Sequence, residues 1–115
     1  MFSIVIPSYN NLNYLKLCVE SILKNSINKH EIIIHVNEGS DGTLEYVKNN
    51  NFKYTFSNKN VGLCTAINTS AKISSTKYIL YSHDDMYFCP GWDKYLLDEI
   101  INIGHGNFYL SGTMI

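Results

Sequence analysis

A chain of 115 residues with 45% hydrophobic and 13% aromatic content can bury one core, which excludes a disordered or low-complexity protein. Its formal net charge of −1 excludes general attraction to nucleic acid or to an anionic membrane surface. All nine basic residues are lysine, so there is no bidentate guanidinium fork, and a phosphorylated ligand must rely on backbone amides, lysine or a metal.

In chain order, strand and helix signals alternate. Phe2 to Ile6 is β-branched and aromatic and predicts a strand; Pro7 stops it and Ser8-Tyr9-Asn10-Asn11 forms a polar turn. The N-terminal apolar run is too short for a signal peptide or a membrane span. Leu12, Leu15, Val19 and Ile22 recur at helical spacing, with Asn11 or Asn13 as N-cap, Lys16, Glu20 and Lys24 on the exposed face, and Asn25-Ser26 at the end. Glu31 to Val36 contains Ile32-Ile33-Ile34, a second buried strand that stops at Asn37-Glu38-Gly39-Ser40-Asp41-Gly42. A short helix follows from Thr43 to about Asn49, with Leu44 and Val47 inward and Asp41 or Ser40 as its cap.

Phe52, Tyr54 and Phe56 alternate with Lys53 and Thr55, which predicts a third strand near a sheet edge. After the loop Ser57-Asn58-Lys59-Asn60, the residues Leu63, Ala66, Ile67, Ser70 and Ala71 mark a helix whose small side chains permit close approach to the sheet. Tyr78 to Tyr81 is apolar and uncharged, as expected of a strand buried on both faces, and it runs into the adjacent carboxylates Asp84 and Asp85. Trp92 to Ile101 predicts a helix with Leu96, Leu97, Ile100 and Ile101 inward, Asp93, Lys94, Asp98 and Glu99 outward, and Gly104 closing it. Phe108-Tyr109-Leu110 opens a final strand. Trp92 is assigned to the core, and His30, His35 and His105 to structural positions. The three cysteines, Cys18, Cys64 and Cys89, have no zinc-like spacing, so free thiols in a reducing, cytoplasmic compartment are expected.

Strands separated by single helices predict one α/β domain over residues 1–115, Rossmann-like, with a mostly parallel sheet and helices on both faces. Such sheets bind ligands outside the carboxyl ends of their strands. Three polar clusters follow strands and so share that rim: Pro7-Ser8-Tyr9-Asn10, Asn37-Glu38-Gly39-Ser40 and His83-Asp84-Asp85. They supply an aromatic face, an isolated acid and an acidic pair that can divide tasks between a cation and hydroxyls, an inventory suited to a metal-bound nucleotide. Each group also has a plain structural role open to it. Tyr9 can be an edge aromatic, Glu38 a helix cap, and Asn60 to Gly62 either a helix start or a phosphate loop. His83 is either an additional nitrogen ligand or a solvent-facing neighbour.

Four motifs stand in order: Phe2-Ser3-Ile4-Val5-Ile6-Pro7-Ser8-Tyr9-Asn10, Val36-Asn37-Glu38-Gly39-Ser40-Asp41-Gly42-Thr43, Asn60-Val61-Gly62, and Asp84-Asp85 closing with Pro90-Gly91-Trp92. Together they cover nearly the whole chain, which resembles the nucleotide-binding half of a family 2 glycosyltransferase with the GT-A fold. The resemblance implies a UDP-type sugar donor, a Mn2+ or Mg2+ ion and inversion at the anomeric carbon. It also implies that Tyr9 stacks on uracil with Pro7 and Ser8 shaping the backbone, that Glu38 accepts from the base, that Asp84 contacts the ribose, and that Asp85 ligates the metal. Asn37-Glu38 replaces the commoner acidic pair, His83 stands where many members carry an acid, and Ile67 replaces a frequent arginine. A receiver-like Mg-binding signalling module is the alternative, but it would carry its acidic pair after the first strand, where this chain has Pro7-Ser8-Tyr9. The resemblance further implies that the catalytic base and acceptor site come from segments beyond this one. The expectation is a domain incomplete at its C-terminus, self-associating or pairing with a missing half, with glycan, lipid or protein as acceptor.

Overall fold

Among the described residues eight elements alternate: β1 (Phe2–Tyr9), α1 (Leu12–Asn25), β2 (Glu31–Asn37), α2 (Thr43–Asn49), β3 (Lys53–Ser57), α3 (Leu63–Ala71), β4 (Tyr78–Tyr81) and α4 (Trp92–Ile103). The structure, a computed structural model, describes residues 1–106 and 108–110. The four strands are all parallel in the order β3-β2-β1-β4. Strands are thus added outward from β1 to β3, and α3 then returns the chain to the other side of β1. This puts the reversal of strand order between β1 and β4.

Alternation along the strands divides the core into two layers. Phe2, Ile4 and Ile6 join Ile32, Ile34 and Val36 on one face, where they meet Leu15, Cys18, Val19 and Ile22 of α1 and Val47 of α2. Trp92, Leu96, Leu97 and Ile100 of α4 pack against the same cluster. On the opposite face Val5 and Ile33 are fully buried, as are Ala66 and Ser70 of α3, whose small side chains let that helix lie close to β1 and β2. Each fully buried aliphatic side chain contributes roughly 1.5–3 kcal/mol. Among the described residues no helix is long and apolar enough to cross a membrane.

Several expectations are corrected. Pro7 does not stop β1, which continues to Tyr9. Val5 is the last residue of β1 aligned with β4, and its carbonyl accepts from the Ser82 N–H at 3.0 Å. The ring nitrogen of Pro7, two residues on, therefore points to the side where no strand remains, and no ladder bond is lost. β4 is an edge strand and is not buried on both faces, since Ile79 and Tyr81 are 50% and 36% exposed. Ile101 is exposed although its neighbour Ile100 packs inward. Asp93, assigned to the outer face of α4, is fully buried. Residues 108–110 form no strand.

Candidate functional site

The register decides what stands at the carboxyl rim. Tyr9 aligns with Asn37, and Asn37 with Ser57, so the ends of β1, β2 and β3 form one row. β4 stops level with Val5, well short of that row. The segment after it is therefore free to run across the rim, and it carries Asp84 to the end of β1. There the Ser8 hydroxyl donates to Asp84 Oδ2 at 2.9 Å and Asn11 Nδ2 donates to Asp84 Oδ1 at 3.2 Å. One carboxylate is fixed by both its oxygens.

A buried polar face of α1 clamps the rest of this segment. Cys18 Sγ donates to the His83 carbonyl at 3.7 Å, Ser21 Oγ accepts from Phe88 N–H at 2.9 Å, and Asn25 Nδ2 donates to the Phe88 carbonyl at 2.6 Å. Burial pushes the Cys18 thiol up to about 11, so it stays protonated and serves as a donor. Residues 18, 21 and 25 share one helix face. The sequence signal was legible, but small polar side chains on a helix face suggest solvent before they suggest a clamp.

A cleft of about 360 Å³ opens beside Asp84. Pro7, Tyr9, Asn10 and Asn11 line it from β1 and the following turn, Asn37 from β2, and Asn60, Gly62 and Leu63 from the start of α3. Tyr9 is half exposed at its mouth. Gly62, at φ 84°, precedes α3 without a side-chain cap, so the first amide groups of that helix remain available beside the cleft. The Gly62 N–H is itself held by Asn60 Oδ1 at 3.0 Å. Asn37, only 4% exposed, accepts from Val61 N–H and from the Ser57 hydroxyl, both at 3.1 Å. Asn11 and Asn37 were missed as positioning groups, because an asparagine at a strand end ordinarily signals only a turn.

Of the residues proposed from sequence, Pro7, Tyr9, Asn60, Gly62 and Asp84 share this cleft, while Ser8 lies beneath it as the anchor of Asp84. Glu38 is not among the lining residues; it sits at φ 64°, and its carboxylate accepts from the Ser40 hydroxyl at 2.9 Å. Nor does it cap α2. That task falls to Asp41, whose Oδ1 accepts from Thr43 N–H at 3.2 Å while Oδ2 accepts from Leu12 N–H at 3.1 Å, so one carboxylate caps the starts of α1 and α2. Burial raises the Asp41 carboxyl, but these bonds outweigh it and hold the group below its ordinary value. Neither Asn11 nor Asn13 supplies the expected side-chain cap of α1. Asp85 is exposed and His83 contacts the Tyr81 ring edge-on, with centroids 5.1 Å apart. No group of three or more His, Cys, Asp or Glu among the described residues is arranged to hold a metal.

Comparison with known proteins gives a consistent result. A family model described as glycosyl transferase family 2 matches residues 3–114. The chain is 30% identical over 105 residues to the chondroitin synthase of Pasteurella multocida strain Pm70, covering 88% of this chain and 11% of that protein. It is 36% identical over 91 residues to an uncharacterized glycosyltransferase of Rickettsia prowazekii, covering 76% and 28%. The chain thus spans about a tenth to just over a quarter of these relatives. Among solved structures, Staphylococcus aureus TarS in complex with UDP-GlcNAc superposes with a TM-score of 0.73 at 23% identity, over 90% of this chain and 31% of that one. A mannosyltransferase from Pyrobaculum calidifontis in complex with GDP-Man and Mn2+ gives 0.68 at 16%, over 82% and 30%. At these identities the structural likeness is one of fold.

Proposed function

The chain belongs to glycosyl transferase family 2, and on that premise we propose that its rim binds the nucleotide of a UDP-type sugar donor for inverting transfer to an acceptor. The observation that carries this reading is the joint lining of one cleft at the strand-order reversal by Tyr9, Asp84 and the Asn60–Gly62 start of α3. In it, Tyr9 stacks on the base, Asp84 accepts from ribose hydroxyls, and the amide groups opening α3 face the phosphates. The lack of arginine fits such a site, because backbone amides and a cation can carry phosphate charge instead. Glu38 reaches the base in this reading only if its carboxylate turns away from Ser40.

The donor set also fits a divalent cation. Asp84 is engaged by Ser8 and Asn11, whereas Asp85 is exposed and offers hard carboxylate oxygen of the kind Mg2+ or Mn2+ takes alongside phosphate and water. Asp85 would hold the ion, with His83 as a further nitrogen donor, and when bound it would offset charge on the leaving diphosphate. Free thiols at Cys18, Cys64 and Cys89 support a reducing, cytoplasmic setting. Among the described residues nothing pairs with the outer edge of β4, and with Ile79 and Tyr81 exposed this supports association through that side.

Two experiments test this reading. Tyr9→Ala is expected to weaken UDP binding by about 1–3 kcal/mol, the range for a base stacked on an aromatic ring; an unchanged dissociation constant by calorimetry would reduce Tyr9 to a covering residue. UDP affinity is expected to fall on chelation of Mn2+ in the wild type and to be insensitive to the metal in Asp85→Ala. Equal affinity of the wild type with and without chelator would remove the cation from the proposal.

A further inference from the structure

His35 lies on β2, 1% exposed, where an apolar residue would suit a strand covered by α3. Its two ring nitrogens are both engaged, Nδ1 with Thr55 Oγ1 at 2.6 Å and Nε2 with Ser57 Oγ at 3.1 Å. Ser57 Oγ lies 2.7 Å from the Lys59 carbonyl and 3.1 Å from Asn37 Oδ1, and Asn37 Oδ1 takes the Val61 N–H. A continuous set of hydrogen bonds thus runs from a buried imidazole to both sides of the loop that ends at Gly62. We propose that His35 is a positioning residue: through Ser57 and Asn37 it fixes the loop between β3 and α3 in the shape that lines the donor cleft.

A neutral ring completes the proton inventory. Thr55 O–H donates to Nδ1, Nε2–H donates to Ser57 Oγ, and the single Ser57 hydrogen is then directed to Lys59 or Asn37. A second ring proton turns Nδ1 into a donor facing a hydroxyl that must reverse, and it places a charge in the core. The titratable side chains on this face of the packed elements are Tyr9 on β1, Glu31 on β2, Lys53 on β3 and Tyr81 on β4, with Cys64 on α3. None of them hydrogen-bonds to His35, and Glu31 and Lys53 pair with each other, 3.4 Å apart, at the amino end. Burial accordingly holds His35 below its ordinary value, with Asn37 acting the other way. The loop is therefore set at neutral pH and loosens as acid protonates the ring.

This inference rests on the proposed nucleotide site, but its test separates the two. Amide exchange of Val61 in the ligand-free chain, corrected for intrinsic rates, is followed from pH 8 downward beside UDP affinity by calorimetry. Loss of Val61 protection by about tenfold or more in acid is expected, with UDP affinity falling in parallel. His35→Gln, which keeps a donor towards Ser57 but cannot titrate, is expected to retain protection at neutral pH and to lack the acid step. Ser57→Ala is expected to lose Val61 protection at every pH. Protection that is independent of pH in the wild type, or unchanged in Ser57→Ala, would overturn the proposal, and so would an identical acid step in His35→Gln. If UDP fails to bind the wild type, the nucleotide reading falls while the Val61 measurement still decides the coupling.

Discussion

Replacing Asp93 by alanine is expected to destabilise the fold by at least about 3 kcal/mol, because three donors lose their charged acceptor and each buried donor left unsatisfied costs about 1–3 kcal/mol. Asp93 is fully buried near the amino ends of β1 and β2, at the rim opposite the cleft. Its carboxylate accepts from Ile27 N–H at 2.9 Å, from Asn28 N–H at 2.8 Å and from His30 Nε2 at 2.8 Å. Because His30 Nδ1 already accepts from Phe2 N–H at 3.0 Å, the Nε2 position carries the hydrogen that points at Asp93. Alanine would leave these donors without their acceptor and loosen the contact of α4 with the turn between α1 and β2. Such a loss is a large share of the roughly 5–15 kcal/mol that holds a domain together. The measurement is the urea midpoint of wild type, Asp93→Ala and Asp93→Asn, with the asparagine variant expected to fall between the other two. A loss below about 1 kcal/mol for alanine would mean that solvent replaces the carboxylate at no great cost.

The same site predicts a pH response. Burial raises the Asp93 carboxyl, but the N–H groups of Ile27 and Asn28, with His30, outweigh it and hold the group at about 2, below the ordinary 3.8. A carboxyl depressed on folding contributes stability that is complete above its unfolded value and is lost as pH falls through its folded value. Wild-type stability from this source should therefore be full above pH 3.8 and decline towards pH 2. The difference between wild type and Asp93→Ala should shrink across the same range.

The largest effect on ligand binding is expected at Asp84. Asp84→Ala should weaken UDP binding by at least about a hundredfold, because hydrogen bonds to a charged acceptor contribute about 1.5–3 kcal/mol each and a ribose offers two hydroxyls. Ser8→Ala removes one of the groups that hold the carboxylate, not the carboxylate itself, and should cost less. If both variants change the dissociation constant by less than threefold, Asp84 is a structural bridge between β1 and the segment after β4. Equal losses in the two would instead make the Ser8 contact the feature that matters.

Much of this was legible in the sequence for an identifiable reason. Periodicity reports which side chains prefer burial, and the two isoleucine-rich strands, the spacing of Leu15, Val19 and Ile22, and the run from Thr43 to Asn49 all fold as read. Adjacency in sequence also put Tyr9 and Asp84 after parallel strands, and hence at one rim. It could not show that β4 ends short of that rim. Relative strand length depends on register between segments more than seventy residues apart, and that length is what lets Asp84 reach Ser8 and Asn11. Nor could periodicity anticipate the exposed side of β4, since Ile79 and Tyr81 are apolar whether or not something covers them.

Polar residues were the harder class. Asp93 reads locally as a solvated residue, Asn37 as part of a turn, Asp41 as a cap of α2 alone and His35 only as structural, because their side chains carry no periodic signal and are at home in water. Burial is tolerated at Asp93, His35 and Asn37 because the fold supplies a distant hydrogen-bond partner, Ile27, Asn28 and His30 for Asp93, Thr55 and Ser57 for His35, and Val61 for Asn37, while the exposed Asp41 finds a distant partner in Leu12. The sequence by itself determined the order of the elements, the parallel sheet and the residues at its carboxyl rim, since these follow from local pattern and chain connectivity. Only the tertiary structure decided which polar groups are buried and what they hold, because their partners are brought together by register and crossover and not by neighbourhood along the chain.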